Sequence, residues 1–197
     1  MAEVRFPEWK RIEGGDLVDP ANLKLWVPSD PGIYMWKRNF NSPPECRIDE
    51  ESFTNWCERV LSYTYGISET SKLNHFLKNA QFELGGSGLT PEKRKRMLSY
   101  ADSKAKRKWL SNYFLSLEKF APSLYVGKAI NLSKRIPEHL NAETDFGQRI
   151  VSSELDWIDL SLYFFVPDNS NVPEEFLTTI EYLATISSLA GLTQRAG

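Results

Sequence analysis

With 197 residues, 41% of them hydrophobic and 13% aromatic, the chain can bury around 70% of its unfolded surface, which excludes a disordered tract and suits one domain or one domain with a large insertion. Its 24 basic and 26 acidic residues leave a net charge of -2, which excludes a polycation that coats nucleic acid along its length; any such contact has to come from a local patch. Two cysteines, Cys46 and Cys57, have neither CxxC nor metal-ligand spacing, and 2 histidines leave a zinc site short of ligands, so both thiols are expected to be reduced.

Residues 1–15 lack the apolar core of a signal peptide, and the most apolar short run, 162–166, is far shorter than a bilayer span. No membrane association is expected, and the cytosol is the expected location. Residues 3–28 mix charges, Gly14-Gly15 and Pro20 with scattered apolar positions, and are read as one or two short strands and loops. Asp30-Pro31-Gly32 is a turn signal ahead of a strand over 33–37 that carries Tyr34.

Pro43-Pro44 opens a long intervening segment, where three- and four-residue apolar spacing predicts helices over 50–65 (Phe53, Trp56, Val60) and 71–84 (Leu73, Phe76, Leu77). Gly85-Gly86-Ser87-Gly88 interrupts the pattern. Thr90 as N-cap and Pro91 at the first helical position then start a long helix reaching to near residue 120. Its apolar stripe is Leu98, Ala101, Ala105, Trp109, Tyr113 and Leu117, and its opposite face carries Lys93, Arg96, Lys104 and Arg107. That face is either a solvated surface or, within a nucleic-acid enzyme, a contact to the phosphate backbone.

Residues 124–140, LYVGKAINLSKRIPEHL, read as an apolar strand ending at Gly127 and, past Lys128, a helix capped by Asn131. Arg135 and His139, four residues apart, share one face of an unbroken helix. Pro137 lies between them and costs roughly 3 kcal/mol in a regular helix, so a kink or restart is expected there. With Tyr125 and Lys128 these groups suit phosphate chemistry, because Arg grips phosphoryl oxygens bidentately while Tyr and His exchange protons. After a polar loop over 141–148, alternation over 157–166 marks the clearest strand of the chain. Pro173, Glu174 and Glu175 open the last helix, whose packing stripe of Leu177, Ile180 and Ala184 leaves Glu181 at its margin.

The tripeptides Gly32-Ile33-Tyr34 and Tyr125-Val126-Gly127, the run YVGKAINLSKR over 125–135, His139, and a helical Glu181 followed about a dozen residues later by Thr193 together resemble the motifs of the GIY-YIG endonuclease superfamily. The resemblance covers 30–38 and 123–197. It implies an α/β fold, a small three-stranded, mainly antiparallel sheet flanked by helices. The nuclease core would be 28–40 plus 120–197 of a single domain spanning 1–197, with a helical insertion over 41–119 where compact members have a short hairpin. It also implies a divalent-metal-dependent DNA endonuclease using Mg²⁺ or Mn²⁺. In that reading Glu181 is the metal ligand, Arg135 clamps the scissile phosphate, and Lys128 and Thr193 contact substrate. Tyr34 and Tyr125 line one catalytic surface, and Tyr34, or His139 acting with it, helps to activate the water. Tyr has an ordinary pKa near 10, so it serves as a base only where a cation such as Lys128 or the metal depresses it. Thr193 stands where the family usually has Asn, whose amide offers both donors and an acceptor.

A stand-alone catalytic chain with an internal insertion looks most like the GIY-YIG restriction endonucleases. That implies double-stranded DNA as substrate and a homo-oligomer, a dimer, with two active sites for two strands. Two alternatives stay open: a structure-selective repair, recombination or phage nuclease, and a catalytically inactive nucleic-acid-binding module on the same fold.

Overall fold

The computed structural model of the chain describes residues 8–62, 71–72, 81–82, 90–153, 155–167 and 173–188. The chain divides into two compact units, Met1–Asn39 with Ala121–Gly197, and Phe40–Phe120.

The first unit begins with strand β1 (Lys10–Glu13), a one-turn helix α1 (Gly14–Leu17), a short helix α2 (Pro20–Trp26) and strand β2 (Gly32–Arg38). Helix α2 forms in a region read as strands and loops because Asp19 accepts the Ala21 N–H at 2.9 Å and Pro20 sits in the first turn, where it has no bond to lose.

The second unit holds a 3₁₀ turn (Pro44–Arg47), helix α3 (Glu50–Ser62), short strands β3 (Ser71–Lys72) and β4 (Gln81–Phe82), and helices α4 (Pro91–Tyr100) and α5 (Lys104–Glu118). Its core packs Phe53, Trp56, Val60, Leu110 and Phe114 around Cys46 and Cys57. Both cysteines are free, and burial pushes their thiols up, to about 11 and about 12. Three expectations change here. β3 and β4 pair antiparallel, a tertiary pairing that one continuous helix over 71–84 would not permit, although 73–80 and the 85–88 glycine break lie outside the described residues. The helix expected from 90 to 120 splits after Tyr100, because Ser103 caps a new helix by accepting the Lys106 N–H. The split resets the helical phase. Ala105, Trp109 and Tyr113 therefore face solvent, while Arg107, Leu110, Ser111, Phe114 and Glu118 turn inward.

The chain returns to the first unit through strand β5 (Ser123–Ala129), helices α6 (Leu132–Leu140) and α7 (Asp145–Ser152), a 3₁₀ turn (Trp157–Asp159), strand β6 (Leu160–Phe165) and helix α8 (Glu174–Ser188). Residues 141–148 do not form one polar loop, since Thr144 caps α7 by accepting the Gly147 N–H at 3.1 Å. The sheet order is β1-β6-β2-β5 with every neighbour antiparallel. It has four strands rather than three: β1 covers the edge of β6 that would otherwise present unpaired backbone groups, with Ile12 opposite Leu162.

Register decides the two faces. Tyr34 lies opposite Gly127 and Phe164, and Trp36 opposite Tyr125 and Leu162, so these residues share one face. Helices α6 and α7 cover that face, with Ile136, His139, Phe146 and Ile150 buried against it. On the other face Ile33 and Val126 pack with Leu177, Ile180 and Ala184 of α8. Among the described residues, no helix is long and apolar enough to cross a membrane.

Candidate active site

A notch in β5 organises the first face. A Cβ on Gly127 would lie 2.6 Å from the Tyr34 hydroxyl and 2.8 Å from the Tyr125 ring, so only glycine lets both phenols close over this strand. Tyr34 Oη lies 2.7 Å from His139 Nε2, and Arg135 Nε donates to the same hydroxyl at 3.4 Å. His139 Nδ1 lies 2.6 Å from Thr144 Oγ1. Tyr125 stacks on Phe146 with ring centroids 4.6 Å apart and lies edge-on to His139 at 5.4 Å.

Helix α6 delivers Arg135 and His139 together because it runs through Pro137 without a break. The helix does not restart at Pro137. Asn131 accepts the Lys134 N–H at 2.9 Å at one end, and Asn141 N–H bonds to the Pro137 carbonyl at 2.9 Å at the other. These caps, with His139 bonded on both ring nitrogens, offset the hydrogen bond that proline removes.

The donors in this network fix its protonation. Tyr34 and His139 are both fully buried. Burial pushes the Tyr34 phenol well above its usual range, Tyr125 adds to the effect and Arg135 partly opposes it. Burial, then the charge of Arg135, pulls His139 down to about 3. Near neutral pH the phenol therefore keeps its proton and the imidazole is neutral. The Tyr34 oxygen accepts from Arg135 and shares a second hydrogen bond with His139 Nε2. His139 Nδ1 shares a hydrogen bond with Thr144 Oγ1, which also accepts the Gly147 amide.

Arg135 has an outlet to solvent, its side chain 36% exposed and ion-paired with Glu138 at 2.8 Å. Burial pulls its pKa down, but the hydrogen bonds to Glu138 and Tyr34 raise it further than burial lowers it, so the guanidinium stays charged.

Glu181 and Lys128 meet on the other side of the same strand. Burial pushes the Glu181 carboxyl up, and the charge and backbone amide of Lys128 partly hold it down. The Lys128 ammonium reaches Thr178 Oγ1 at 2.6 Å and Glu174 Oε1 at 3.2 Å. Tyr34 is thus seated on Gly127 and Glu181 on Lys128, two consecutive residues of a strand at the edge of the sheet. The structure gathers Tyr34, Tyr125, Arg135 and His139 on one face, and Lys128 with Glu181 on the other.

Thr193 lies outside the described residues. Lys93, Arg96 and Lys104 are exposed on the second unit. Arg107 does not share their exposed face: it is buried and donates to the carbonyls of Ala101 at 3.0 Å and Ile48 at 3.1 Å. Sequence reasoning missed Thr144 and Glu138. A cap followed by Phe146 and Ile150 at helical spacing would have marked the first, and the i,i+3 position relative to Arg135 the second.

Among the described residues, no three of His, Cys, Asp and Glu converge in a metal-binding cluster. Glu181 offers a single carboxylate, half-buried, whose charged form gains from any nearby cation. It fits a Mg²⁺ or Mn²⁺ held mainly by water and phosphate oxygens. Compared with protein-family models, with curated proteins and with solved structures, the chain matches none.

Proposed function

We propose that the chain is a divalent-metal-dependent endonuclease that hydrolyses DNA phosphodiester bonds, on a GIY-YIG nuclease fold whose three core strands are β6, β2 and β5, with β1 added. One observation carries the reading: Arg135 bonds to Tyr34 and Tyr34 to His139, across 101 and 105 residues of chain, directly over Gly127. A guanidinium locked from behind by a buried phenol and imidazole, with one side open, is an anion clamp.

Hydrolysis adds water to phosphorus and breaks its bond to one sugar oxygen. Negative charge builds on the non-bridging oxygens and on the leaving group, which ends with a proton. Arg135 grips a non-bridging oxygen by exchanging Glu138 for the phosphate. Tyr34 and His139 touch no substrate; they are positioning residues that fix the guanidinium plane. Tyr125, half-buried beside the notch, is the phenol with access to solvent and orients the attacking water. Bound at Glu181, Mg²⁺ or Mn²⁺ supplies Lewis-acid stabilisation and a more acidic water. Lys128, tied to Thr178 and Glu174, fastens α8 to β5 and so holds Glu181 in place.

In its finer form the reading is a site-specific type II restriction enzyme that cuts duplex DNA as a homodimer. Incubation of supercoiled plasmid with Mg²⁺, against an EDTA control, tests this. Discrete fragments support the restriction enzyme, and nicks or smears support the less selective nuclease. Intact plasmid that is still retarded in a gel overturns catalysis and leaves the inert binding module, the reading that Arg135's pairing with Glu138 favours.

A further inference from the structure

The second unit carries a surface that the proposed chemistry does not use. Tyr100 at the end of α4 and Trp109 and Tyr113 on α5 are 47%, 56% and 49% exposed. They are not scattered. Trp109 and Tyr113, one helical turn apart, stack with centroids 5.6 Å apart and planes only 2° from parallel. Tyr100 meets Trp109 edge-on at 6.0 Å. Lys106, ion-paired to Asp102, holds its ammonium 5.1 Å from the Tyr100 ring centre. The three rings brace one another into a preformed aromatic ledge, which loses little side-chain freedom when something lands on it.

The charge around the ledge selects the partner. Residues 91–119 contain nine basic and three acidic residues, in a chain whose totals are 24 and 26. Lys104 and Lys108, one turn apart on the same helix as Trp109, are exposed, as are Lys93, Lys95 and Arg96 on α4. A second copy of this surface would bring like charges together. An acidic polymer is attracted, and among acidic polymers the aromatic rings distinguish one kind. In duplex DNA the base faces are already stacked on one another, so a protein ring has nothing to cover. In a single strand every base offers a π-face, and the phosphates beside it suit lysine.

We propose that Tyr100, Trp109 and Tyr113, flanked by Lys104 and Lys108, form a stacking platform for unpaired nucleotides, so that this chain engages single-stranded nucleic acid through its second unit. The inference rests on the nuclease reading for its place in a reaction, where it favours the structure-selective nuclease, whose substrate contains a single-stranded stretch, over the restriction enzyme that cuts duplex DNA. Binding at the platform itself needs no cleavage.

The test is fluorescence anisotropy with a labelled poly-dT oligonucleotide and with a labelled duplex of the same length, in EDTA, on the full chain. The wild type is expected to bind the single strand more tightly than the duplex. Trp109→Ala and Tyr113→Ala, both at exposed positions and checked for folding by circular dichroism, are expected to lose about five- to a hundredfold in single-strand affinity, the range for one stacked base. Lys104→Ala and Lys108→Ala are expected to lower the slope of log affinity against log salt by about 0.7 each. Single-strand affinity unchanged in both aromatic variants, or absent in the wild type, overturns the platform. So does a wild-type dimer that Trp109→Ala splits into monomers, because the rings would then be an interface between copies. An intact plasmid in the cleavage assay together with tight poly-dT binding removes the nuclease and leaves the platform standing.

Discussion

Gly127 is where one methyl group is the sharpest probe of the site. Gly127→Ala puts a Cβ 2.6 Å from the Tyr34 hydroxyl and must push it off His139. Plasmid cleavage is expected to fall about a hundredfold, the cost of a displacement near 1 Å in a positioned group, while a thermal melt still reports a folded protein. His139 makes a second residue-scale prediction. Its pKa is near 6.5 in the unfolded chain and about 3 in the fold, so between those values the unfolded chain takes up a proton that the native one refuses. The stability conferred by the neutral, buried imidazole is full above pH 6.5 and is lost as the pH falls, at up to about 1.4 kcal/mol per pH unit. Urea melts from pH 6.5 to 5 should show this slope in the wild type and a flatter one in His139→Gln. That Arg135 and His139 share one helix face was legible in their four-residue spacing, and that Tyr34 belongs with them followed from the resemblance. Thr144 was not legible, because it acts only through a contact with His139 that a fold creates.

The elements show where periodicity suffices and where it fails. Strands β2, β5 and β6 and helices α3, α6 and α8 lie near where their apolar patterns put them, with β5 carried past Gly127 through Lys128 to Ala129 by pairing with β2, and β6 shortened by the 3₁₀ turn that Asp156 and Asp159 lock. Pro137 argued for a broken α6, yet caps at both ends outweigh one lost bond. Helix α5 went wrong through phase. A stripe carried on from α4 through the Asp102-Ser103 break selects Trp109 and Tyr113 for the core, and the break rotates Leu110 and Phe114 there instead. Arg107, taken for a phosphate contact, is the consequence that can be measured. Arg107→Ala leaves the carbonyls of Ala101 and Ile48 without this donor and should destabilise the protein by about 2–3 kcal/mol in denaturant melts. It should leave the salt dependence of DNA binding unchanged, unlike Lys104→Ala.

At the scale of the molecule, a mixture of strands and helices was legible in alternating strands and three- or four-residue helical spacing, and the antiparallel sheet flanked by helices was what the resemblance implied. The fourth strand was not, since β1 earns its place only by pairing with the edge of β6. Composition also hid the charge division: a net of -2 averages a basic helical segment over 91–119 with an acidic remainder. The central claim is that Arg135 and Glu181, held on either side of Gly127-Lys128, act on one phosphorus. It is tested most directly by the rate of Mg²⁺-dependent plasmid cleavage for wild type, Arg135→Ala, Glu181→Ala and the double variant. The account predicts metal-dependent cutting by the wild type and a loss of at least about a hundredfold in each single variant. The double variant should be little slower than the slower single, as expected for groups that work as a unit. Either single variant, folded and cutting at the wild-type rate, would contradict it.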